Sequence, residues 1–209
     1  MRGSLMEASS ARTSPSRSGL ICERDSPDHR NRKSAISYSV IYADPPWRYD
    51  DSTPTRRVEN HYPTMATEDI CAMKIPSAKN AVLYLWATAP KLEDALQVIA
   101  AWGFRYRTHA IWDKQKIGSG YWFRGRHELL MVATKGAFRA PEPSERIASV
   151  ISIPRGEHSS KPDQVRDWIK GWFPNERRLE VFARQWTSFW PVPEGWDVWG
   201  NQTQSTVAL

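Results

Sequence analysis

A carboxylate, two prolines and an indole stand together at Asp44-Pro45-Pro46-Trp47, directly after the apolar run of residues 39–43. Each proline fixes φ near ~−65° and removes a backbone donor, so the segment is a rigid corner. The Asp44 carboxylate and the Pro45 carbonyl can both accept hydrogen bonds from an amine, and the indole offers a stacking surface for a planar base. A Pro-Pro turn closed by a hydrophobic plug is the alternative, and residue chemistry alone leaves both open.

Two further segments follow predicted strands, Arg184-Gln185 and residues 118–125. The second segment runs into Arg126 and mixes glycines, aromatic residues and arginines, which suits a lid over an extruded base and its flanking phosphates. An ordinary connecting loop is the alternative. The sequence contains no G-x-G-x-x-G after a strand, no G-x-x-x-x-G-K-[ST] and no G-x-S-x-G. We therefore expect neither a cofactor held mainly by its phosphates nor a serine hydrolase.

These segments need a sheet whose strand ends meet at one edge. Short apolar runs rich in β-branched and aromatic residues predict strands at 39–43, 81–86, 106–112, 129–134, 148–153 and 179–183. One helix is predicted after Thr88, the expected N-cap, with Pro90 in its first turn and Gly103 at its end. Its apolar stripe consists of Leu92, Ala95, Leu96 and Ile99. A second helix opens at Pro162 and has the stripe Val165, Trp168, Ile169 and Trp172.

Strands that alternate with amphipathic helices predict an α/β fold, with a mostly parallel sheet flanked by helices. In such sheets ligands bind outside the carboxyl ends of the strands. The corner at Asp44 and the two segments that follow predicted strands stand at that edge of the predicted sheet, which makes them the candidate site.

Composition sets outer limits on the function. The chain has 209 residues and a formal net charge of +6, a bias that permits nucleic-acid binding without proving it. It has no apolar run near the ~20 residues of a membrane span and no apolar core of a secretory signal, so a membrane protein is excluded. Cys22 and Cys71 make no disulfide framework, and a cytoplasmic setting is expected. Residues 1–36 are predicted to be a disordered, basic and Ser-rich tail, 37–203 the folded domain, and 204–209 a short C-terminal tail.

The segment Tyr42-Ala43-Asp44-Pro45-Pro46-Trp47 resembles the catalytic motif of the MT-A70 family of adenine N6-methyltransferases, which use S-adenosylmethionine (SAM). Four later blocks resemble further motifs of that family in the same order: residues 85–88, 157–162, 179–184 and 199–202. Other N6- and N4-methylases share a D-P-P-W pattern, but the ordered set from about Val40 to Gln202 is specific. The resemblance implies a Rossmann-like methyltransferase sheet with circularly rearranged motif order.

The resemblance also implies roles for single residues. The catalytic set is Asp44, Pro45, Pro46 and Trp47; the SAM-binding set is Asp44, Lys161, Arg184, Asn201 and Gln202; the substrate-binding set is Tyr49, Trp122, Arg126, Glu128, His158 and Ser159. Lys161 is expected to pair with the methionine carboxylate of SAM, and a solvated surface lysine is the alternative. Asp44 is expected to orient the target amine rather than act as a strong base, and no metal is required.

The implied activity is methyl transfer from SAM to the N6 amine of adenine in nucleic acid. DNA is the expected acceptor, because the chain has neither the zinc fingers nor the long N-terminal regions of the eukaryotic RNA enzymes. RNA N6-adenosine methylation and a catalytically silent nucleic-acid-binding homologue are the alternatives. The intact segment Asp44-Pro45-Pro46-Trp47, together with Lys161 and Asn201, argues against silence. A homodimer or a partner subunit that completes the recognition surface stays open.

Overall fold

The computed structural model describes residues 36–49, 63–120, 122–156, 160–184, 192–200 and 203–209. These ranges contain seven strands and three α-helices. In chain order they are β1 Tyr38–Ala43, α1 Thr67–Ala72, β2 Ser77–Ala87, α2 Leu92–Ala101, β3 Arg105–Asp113, β4 His127–Lys135, β5 Val150–Ser152, α3 Asp163–Trp172, β6 Arg178–Val181 and β7 Trp196–Trp199. Two single 3₁₀ turns, Ala89–Lys91 and Pro143–Glu145, precede α2 and β5.

All seven strands form one sheet in the order β5-β3-β4-β2-β1-β6-β7. β1 is parallel to β2 and β6, β6 is parallel to β7, and β3 is parallel to β5. Among the described strands only β4 is antiparallel to its neighbours, β2 and β3. The predicted mostly parallel α/β sheet is confirmed. Because β4 is reversed, it begins at the edge where the parallel strands end: His127 pairs with Asp113 and Leu129 with Ala87.

The central strands are buried on both faces, which explains their nearly continuous apolar sequences. Alternate side chains enter two separate cores. One core joins Ile41, Leu83, Leu85 and Met131 to Ile70 of α1 and to Ala95, Val98 and Ile99 of α2. The other joins Tyr42, Tyr84, Trp86 and Leu130 to Val165 and Ile169 of α3. The fold therefore has three layers, and the helices leave the carboxyl edge of the sheet to the loops.

The helix α2 begins later than predicted and buries a different stripe. A 3₁₀ turn takes the place of its first turn, and Thr88 makes no capping hydrogen bond. Thr88 does occupy the N-cap position of this 3₁₀ turn, with Pro90 in its first turn as predicted, but its hydroxyl lies 2.6 Å from the Tyr49 hydroxyl instead of capping the turn. Leu92 and Leu96 are exposed, because α2 packs through Ala95, Val98 and Ile99. Its predicted end is confirmed, since Gly103 takes a φ of +78°.

Helix α3 follows the prediction more closely. It begins after Pro162 and buries Val165 and Ile169, with the two tryptophans of its stripe half-buried against the same core. The predicted strand at 148–153 shortens to the three residues of β5, an edge strand paired only with β3. The strand predicted at 179–183 ends at Val181, because Phe182 turns out of the ladder with a φ of +65°. Helix α1 and strand β7 were not predicted.

The predicted domain limits stay predictions. The N-terminal tail, apart from Ile36, lies outside the described residues. At the other end, Thr206 donates a backbone hydrogen bond to Val198 of β7 (2.9 Å), and the Ser205 hydroxyl accepts one from Gly200 (3.2 Å). Val207 packs against the first core, so these last residues are attached to the sheet. None of the described helices combines the length and apolar character that crossing a membrane requires.

Alanine substitutions at two glycines are expected to change the free energy of unfolding in opposite directions. Gly136, after β4, has a φ of +63°, and a Cβ there would overlap the Asn80 side chain and the Lys79 carbonyl. We expect Gly136→Ala to lower the free energy of unfolding by ~2–4 kcal/mol. Gly171 in α3 has no atom within 4 Å of its Cβ direction, so Gly171→Ala should raise it by ~0.5–1 kcal/mol. Urea denaturation of both variants checks this, and a Gly136→Ala protein as stable as the parent would contradict the turn described here.

Candidate active site

Charged side chains from five parts of the fold converge at the carboxyl edge of the sheet. Each one stands just outside a strand or helix, or in the first residues of β4. They are Asp44 after β1, Lys114 after β3, Glu128 near the start of β4, Lys161 before α3 and Arg184 after β6. Asp44, Lys114 and Arg184 follow the carboxyl ends of three strands that run in the same direction. Because β4 is reversed, its first residues, with Glu128, lie at that same edge. The edge predicted to hold the site is therefore the one at which these groups meet.

Asp44 and Lys161 form the centre of this cluster. The Lys161 ammonium lies 2.8 Å from one carboxylate oxygen of Asp44 and 2.9 Å from the other. A guanidinium nitrogen of Arg184 lies 3.8 Å from the same carboxylate. The Lys161 side chain is only 10% exposed, so the alternative of a solvated surface lysine is wrong. The carboxylate is held in a fixed position by a buried partner.

Glu128 extends the cluster on the other side of Lys161. One of its carboxylate oxygens lies 3.3 Å from the Lys161 ammonium, and the other lies 3.1 Å from the Lys114 ammonium. The Lys161 ammonium also lies 5.7 Å from the ring centroid of Trp86, within reach of a cation–π contact. The result is an ion chain of alternating sign, which we define as Lys114, Glu128, Lys161, Asp44 and Arg184.

The protonation state of Lys161 follows from its neighbours. Burial by itself would lower the pKa of Lys161, but the carboxylates of Asp44 and Glu128 outweigh burial and raise that pKa above its ordinary value. Lys161 therefore stays a cation at neutral pH. A fixed cation beside a fixed carboxylate is a complementary partner for a small zwitterion.

The corner at Asp44 is more strongly tied down than predicted. The backbone N–H of Trp47 donates to the Pro45 carbonyl (2.9 Å), and that of Met65 donates to the Pro46 carbonyl (2.8 Å). Each of these carbonyls thus has a backbone donor, and a carbonyl oxygen with one donor keeps a second lone pair with which to accept from an amine. These two hydrogen bonds fix the backbone of the corner at Pro45 and at Pro46.

Trp47 itself faces the core rather than the solvent. Its side chain is 5% exposed, and its indole N–H donates to the carbonyl of Trp86 (3.1 Å). This burial favours the hydrophobic plug over the stacking surface, because neither face of the ring is open to a base. Trp47 fixes the position of the corner relative to β2.

The predicted substrate residues are brought together only in part. Glu128 belongs to the ion chain, whereas the Tyr49 hydroxyl contacts Thr88 and its ring lies below the Lys91 ammonium (5.4 Å). Arg126 donates two hydrogen bonds to the Asp113 carboxylate (2.6 and 2.8 Å), and this guanidinium lowers the pKa of Asp113 to about 2. Trp122 is almost fully exposed. The predicted residues His158, Ser159, Asn201 and Gln202 lie outside the described residues, so their roles stay predictions.

Two features of the site were missed by the sequence interpretation. Lys114 follows the predicted strand 106–112, and that position was a sufficient signal. The second is a buried ion pair between Arg166 of α3 and Glu180 of β6, joined by hydrogen bonds of 3.0 and 2.7 Å. A glutamate inside the apolar run at 179–183 required a basic partner, which sequence alone does not locate.

The Arg166–Glu180 pair stabilises the site through its contacts with Tyr42 and, by way of Tyr42, with Trp86. The Arg166 guanidinium lies 5.1 Å from the ring centroid of Tyr42, and the Tyr42 hydroxyl accepts a hydrogen bond from the Trp86 indole (2.7 Å). Burial raises the pKa of Tyr42 well above its ordinary value, so the hydroxyl stays neutral. Because Trp86 contacts both Trp47 and Lys161, these buried contacts fix the two ends of the site relative to one another.

An α/β sheet with a carboxylate corner and a buried lysine at its carboxyl edge is arranged to bind a ligand at that edge, and comparison with known proteins identifies the family. The family model described as MT-A70 matches residues 38–202. Type II methyltransferase M.MunI of Mycoplasma sp is 33% identical, over 78% of this chain and 76% of its own length. The chain belongs to the MT-A70 family and is a methyltransferase.

More distant relatives are N6-adenosine methyltransferases. The MT-A70-like N(6)-adenosine-methyltransferase of Arabidopsis thaliana is 30% identical over 79% of this chain. The human N(6)-adenosine-methyltransferase catalytic subunit METTL3 is 26% identical over 79% of it. This chain spans about a quarter of the length of these two relatives, 24% and 28% respectively.

Membership of this family implies SAM as the methyl donor and a nucleic acid as the substrate. The side chains fit the amino-acid end of SAM, because a buried ammonium on Lys161 and a fixed carboxylate on Asp44 complement a carboxylate and an ammonium. Among the described residues, no group of three or more His, Cys, Asp or Glu side chains is arranged to hold a metal ion. Metal-free methyl transfer stays a prediction.

Proposed function

We propose that this chain transfers the methyl group of SAM to the N6 amine of adenine in DNA. The observation that carries the proposal is the Asp44 carboxylate, fixed by Lys161 in a closed corner at the carboxyl edge of the sheet. Adenine N6 is supported by relatives named as N(6)-adenosine methyltransferases. DNA is supported by the likeness to the bacterial Type II methyltransferase, which covers about three quarters of both chains.

In this proposal the corner at Asp44 orients the acceptor. The exocyclic amine of adenine is a poor nucleophile, because its lone pair is delocalised into the ring. The Asp44 carboxylate and the second lone pair of the Pro45 carbonyl accept hydrogen bonds from its two N–H groups. These bonds fix the direction in which the lone pair of the nitrogen points. When bound, SAM supplies an electrophilic methyl group on a sulfonium centre. Positioning is then the main contribution of the protein, and it can be worth several powers of ten in rate.

The remaining residues of the ion chain hold the donor. Lys161 binds the methionine carboxylate, and Asp44 also binds the ammonium of SAM. Glu128 and Lys114 keep the Lys161 ammonium in place, since each makes a short contact along the chain. Arg184, Asn201 and Gln202 are proposed to contact the ribose and adenine of SAM. Tyr49, Trp122, Arg126, His158 and Ser159 are proposed to contact the nucleic acid.

The test is methyl transfer from labelled SAM to matched pools of DNA and RNA, followed by mass spectrometry of the nucleosides. We expect N6-methyldeoxyadenosine from the DNA pool. Transfer confined to RNA would show that the substrate is RNA rather than DNA. Formation of N4-methylcytosine would show that the acceptor is cytosine N4 rather than adenine N6. A folded protein that binds SAM and modifies neither pool would be the silent homologue. Because the chain is assayed alone, activity would also show that no partner subunit is needed.

A further inference from the structure

Two adjacent aromatic side chains at the tip of the β3–β4 loop have almost no contact with the protein. Trp122 is 94% exposed and Phe123 is 90% exposed. Aromatic side chains contribute much of the apolar area that proteins bury, so leaving two neighbours in water forfeits stabilisation. Scattered single hydrophobic residues on a surface need no explanation, whereas an exposed contiguous pair marks an interaction site.

The two backbone segments that lead to this tip lie close together. The backbone N–H of Gly118 donates to the Gly125 carbonyl (2.7 Å), and that of Gly125 donates to the Ser119 carbonyl (3.0 Å). A Cβ on Gly118 would lie 2.9 Å from the Gly125 carbonyl oxygen, and one on Gly120 would overlap the Phe123 carbonyl. The two sides of the loop thus approach too closely for side chains at these glycines. The exposure of the aromatic pair follows from this defined backbone.

The charge around the tip favours a polyanion. Residues 113–126 include four basic side chains, Lys114, Lys116, Arg124 and Arg126, and the single acidic side chain of Asp113. Asp113 and Arg126 form an ion pair that stays charged at neutral pH, because the pKa of Asp113 is about 2. Lys114 connects the base of the loop to Glu128 and so to the ion chain. An aromatic tip flanked by arginines matches bases flanked by phosphates.

We propose that Trp122 and Phe123 form a wedge that enters the base stack of duplex DNA and fills the space left by the target adenine when it leaves the helix. This inference rests on the proposed function. An amine inside a duplex is out of reach of any active site, so the base must be extruded, and a stacked side chain offsets part of the cost. The alternative, a platform for single strands, needs ring faces that lie along a groove. The rings here project from a loop tip, which favours the wedge.

The test compares one unmethylated DNA preparation in its native duplex form and after heat denaturation. The readout is the ratio of the initial methylation rates on the two forms. We expect the double variant Trp122→Ala/Phe123→Ala to lower this duplex-to-single-strand ratio at least ~10-fold, in line with the cost of unstacking a base. Gly120→Ala, which keeps both rings but disturbs the tip, should lower the ratio in the same direction. Ile117→Ala, which removes an exposed aliphatic side chain of the same loop, is the matched control and should leave the ratio unchanged.

The outcomes separate the wedge from the proposed activity. Equal losses on both forms of DNA would overturn the wedge and identify the aromatic pair as a general binding surface. A parent protein that methylates only denatured DNA or RNA would overturn the wedge while methyl transfer to adenine stands. A parent protein that methylates nothing would overturn the proposed function and the wedge with it. Thermal melts of each variant show that the comparison is made between folded proteins.

Discussion

Replacing Asp44 with alanine is expected to abolish methyl transfer in a protein that still folds. Under the proposed function, the variant loses an acceptor for the target amine and a partner for the ammonium of SAM. Misplacement of a reacting group by about 1 Å can cost ~100-fold in rate, and the loss of both roles should exceed that. Asp44→Asn is the sharper probe, because it keeps the shape and one acceptor oxygen but removes the charge. We expect it to be nearly inactive and to bind SAM more weakly.

The structure changes the expected effect of Asp44→Ala on stability. Sequence alone treats the carboxylate as incompletely paired, so that its removal is neutral or stabilising. Both of its oxygens in fact contact the buried Lys161 ammonium, and Arg184 lies nearby. Among the described residues, removing the carboxylate leaves that cation with Glu128 as its carboxylate partner and with the ring of Trp86. We therefore expect a loss of ~1–3 kcal/mol, a penalty that lowers the melting temperature without unfolding the protein.

Single-turnover transfer and thermal melts, measured side by side, decide this prediction. Asp69→Asn is the matched control, since Asp69 is an exposed carboxylate in the first turn of α1 and is not a member of the ion chain. It should behave like the parent protein in both measurements. An Asp44 variant that melts normally and transfers methyl groups within tenfold of the parent would exclude Asp44 as the orienting group.

The second large effect is expected for Lys161. Lys161→Ala should weaken SAM binding roughly 10- to 150-fold, the range of a charge-assisted hydrogen bond of ~1.5–3 kcal/mol. Lys161→Arg keeps a cation but replaces a compact ammonium by a planar fork, so it should recover only part of the affinity. Calorimetric titration of SAM against each protein measures the change.

The control for this series is Lys170→Ala. Lys170 lies on α3 and pairs with the exposed carboxylate of Glu194, 3.2 Å away, on the solvent side of the helix. Surface pairs of this kind contribute little, so its SAM affinity should equal that of the parent. Equal affinities for Lys161→Ala and the parent would remove Lys161 from the proposed SAM site, even though its burial against Asp44 would still stand.

The sequence predicted those parts of the site that depend on local chemistry. The corner at Asp44 was readable because prolines act on their own neighbours, and β1 because a buried strand has a continuous apolar pattern. The Asp44–Lys161 contact joins residues 117 positions apart, and only the family resemblance placed both in one site. The resemblance also placed Glu128 in the site, but its contact with Lys161 was not predictable, because periodicity does not reveal that β4 is reversed. Lys114 was missed although it follows a predicted strand. The stripe of α2 was misread because the predicted set that begins at Leu92 and the observed set Ala95, Val98 and Ile99 both have helical spacing.

The reversed strand β4 allows the loop between β3 and β4 to vary without a change in the rest of the sheet. Two parallel strands need a long crossover, usually a helix, whereas antiparallel strands can be joined directly at one edge. The connection from β3 to β4 is closed by the backbone hydrogen bond from Lys114 to Arg126, 2.9 Å long. Lengthening such a loop twofold costs only about 0.6 kcal/mol in closure entropy. Loops of other lengths fit between these two residues without a change in the order of the sheet, so under the proposed function the segment proposed to contact DNA can vary while the ion chain stays the same.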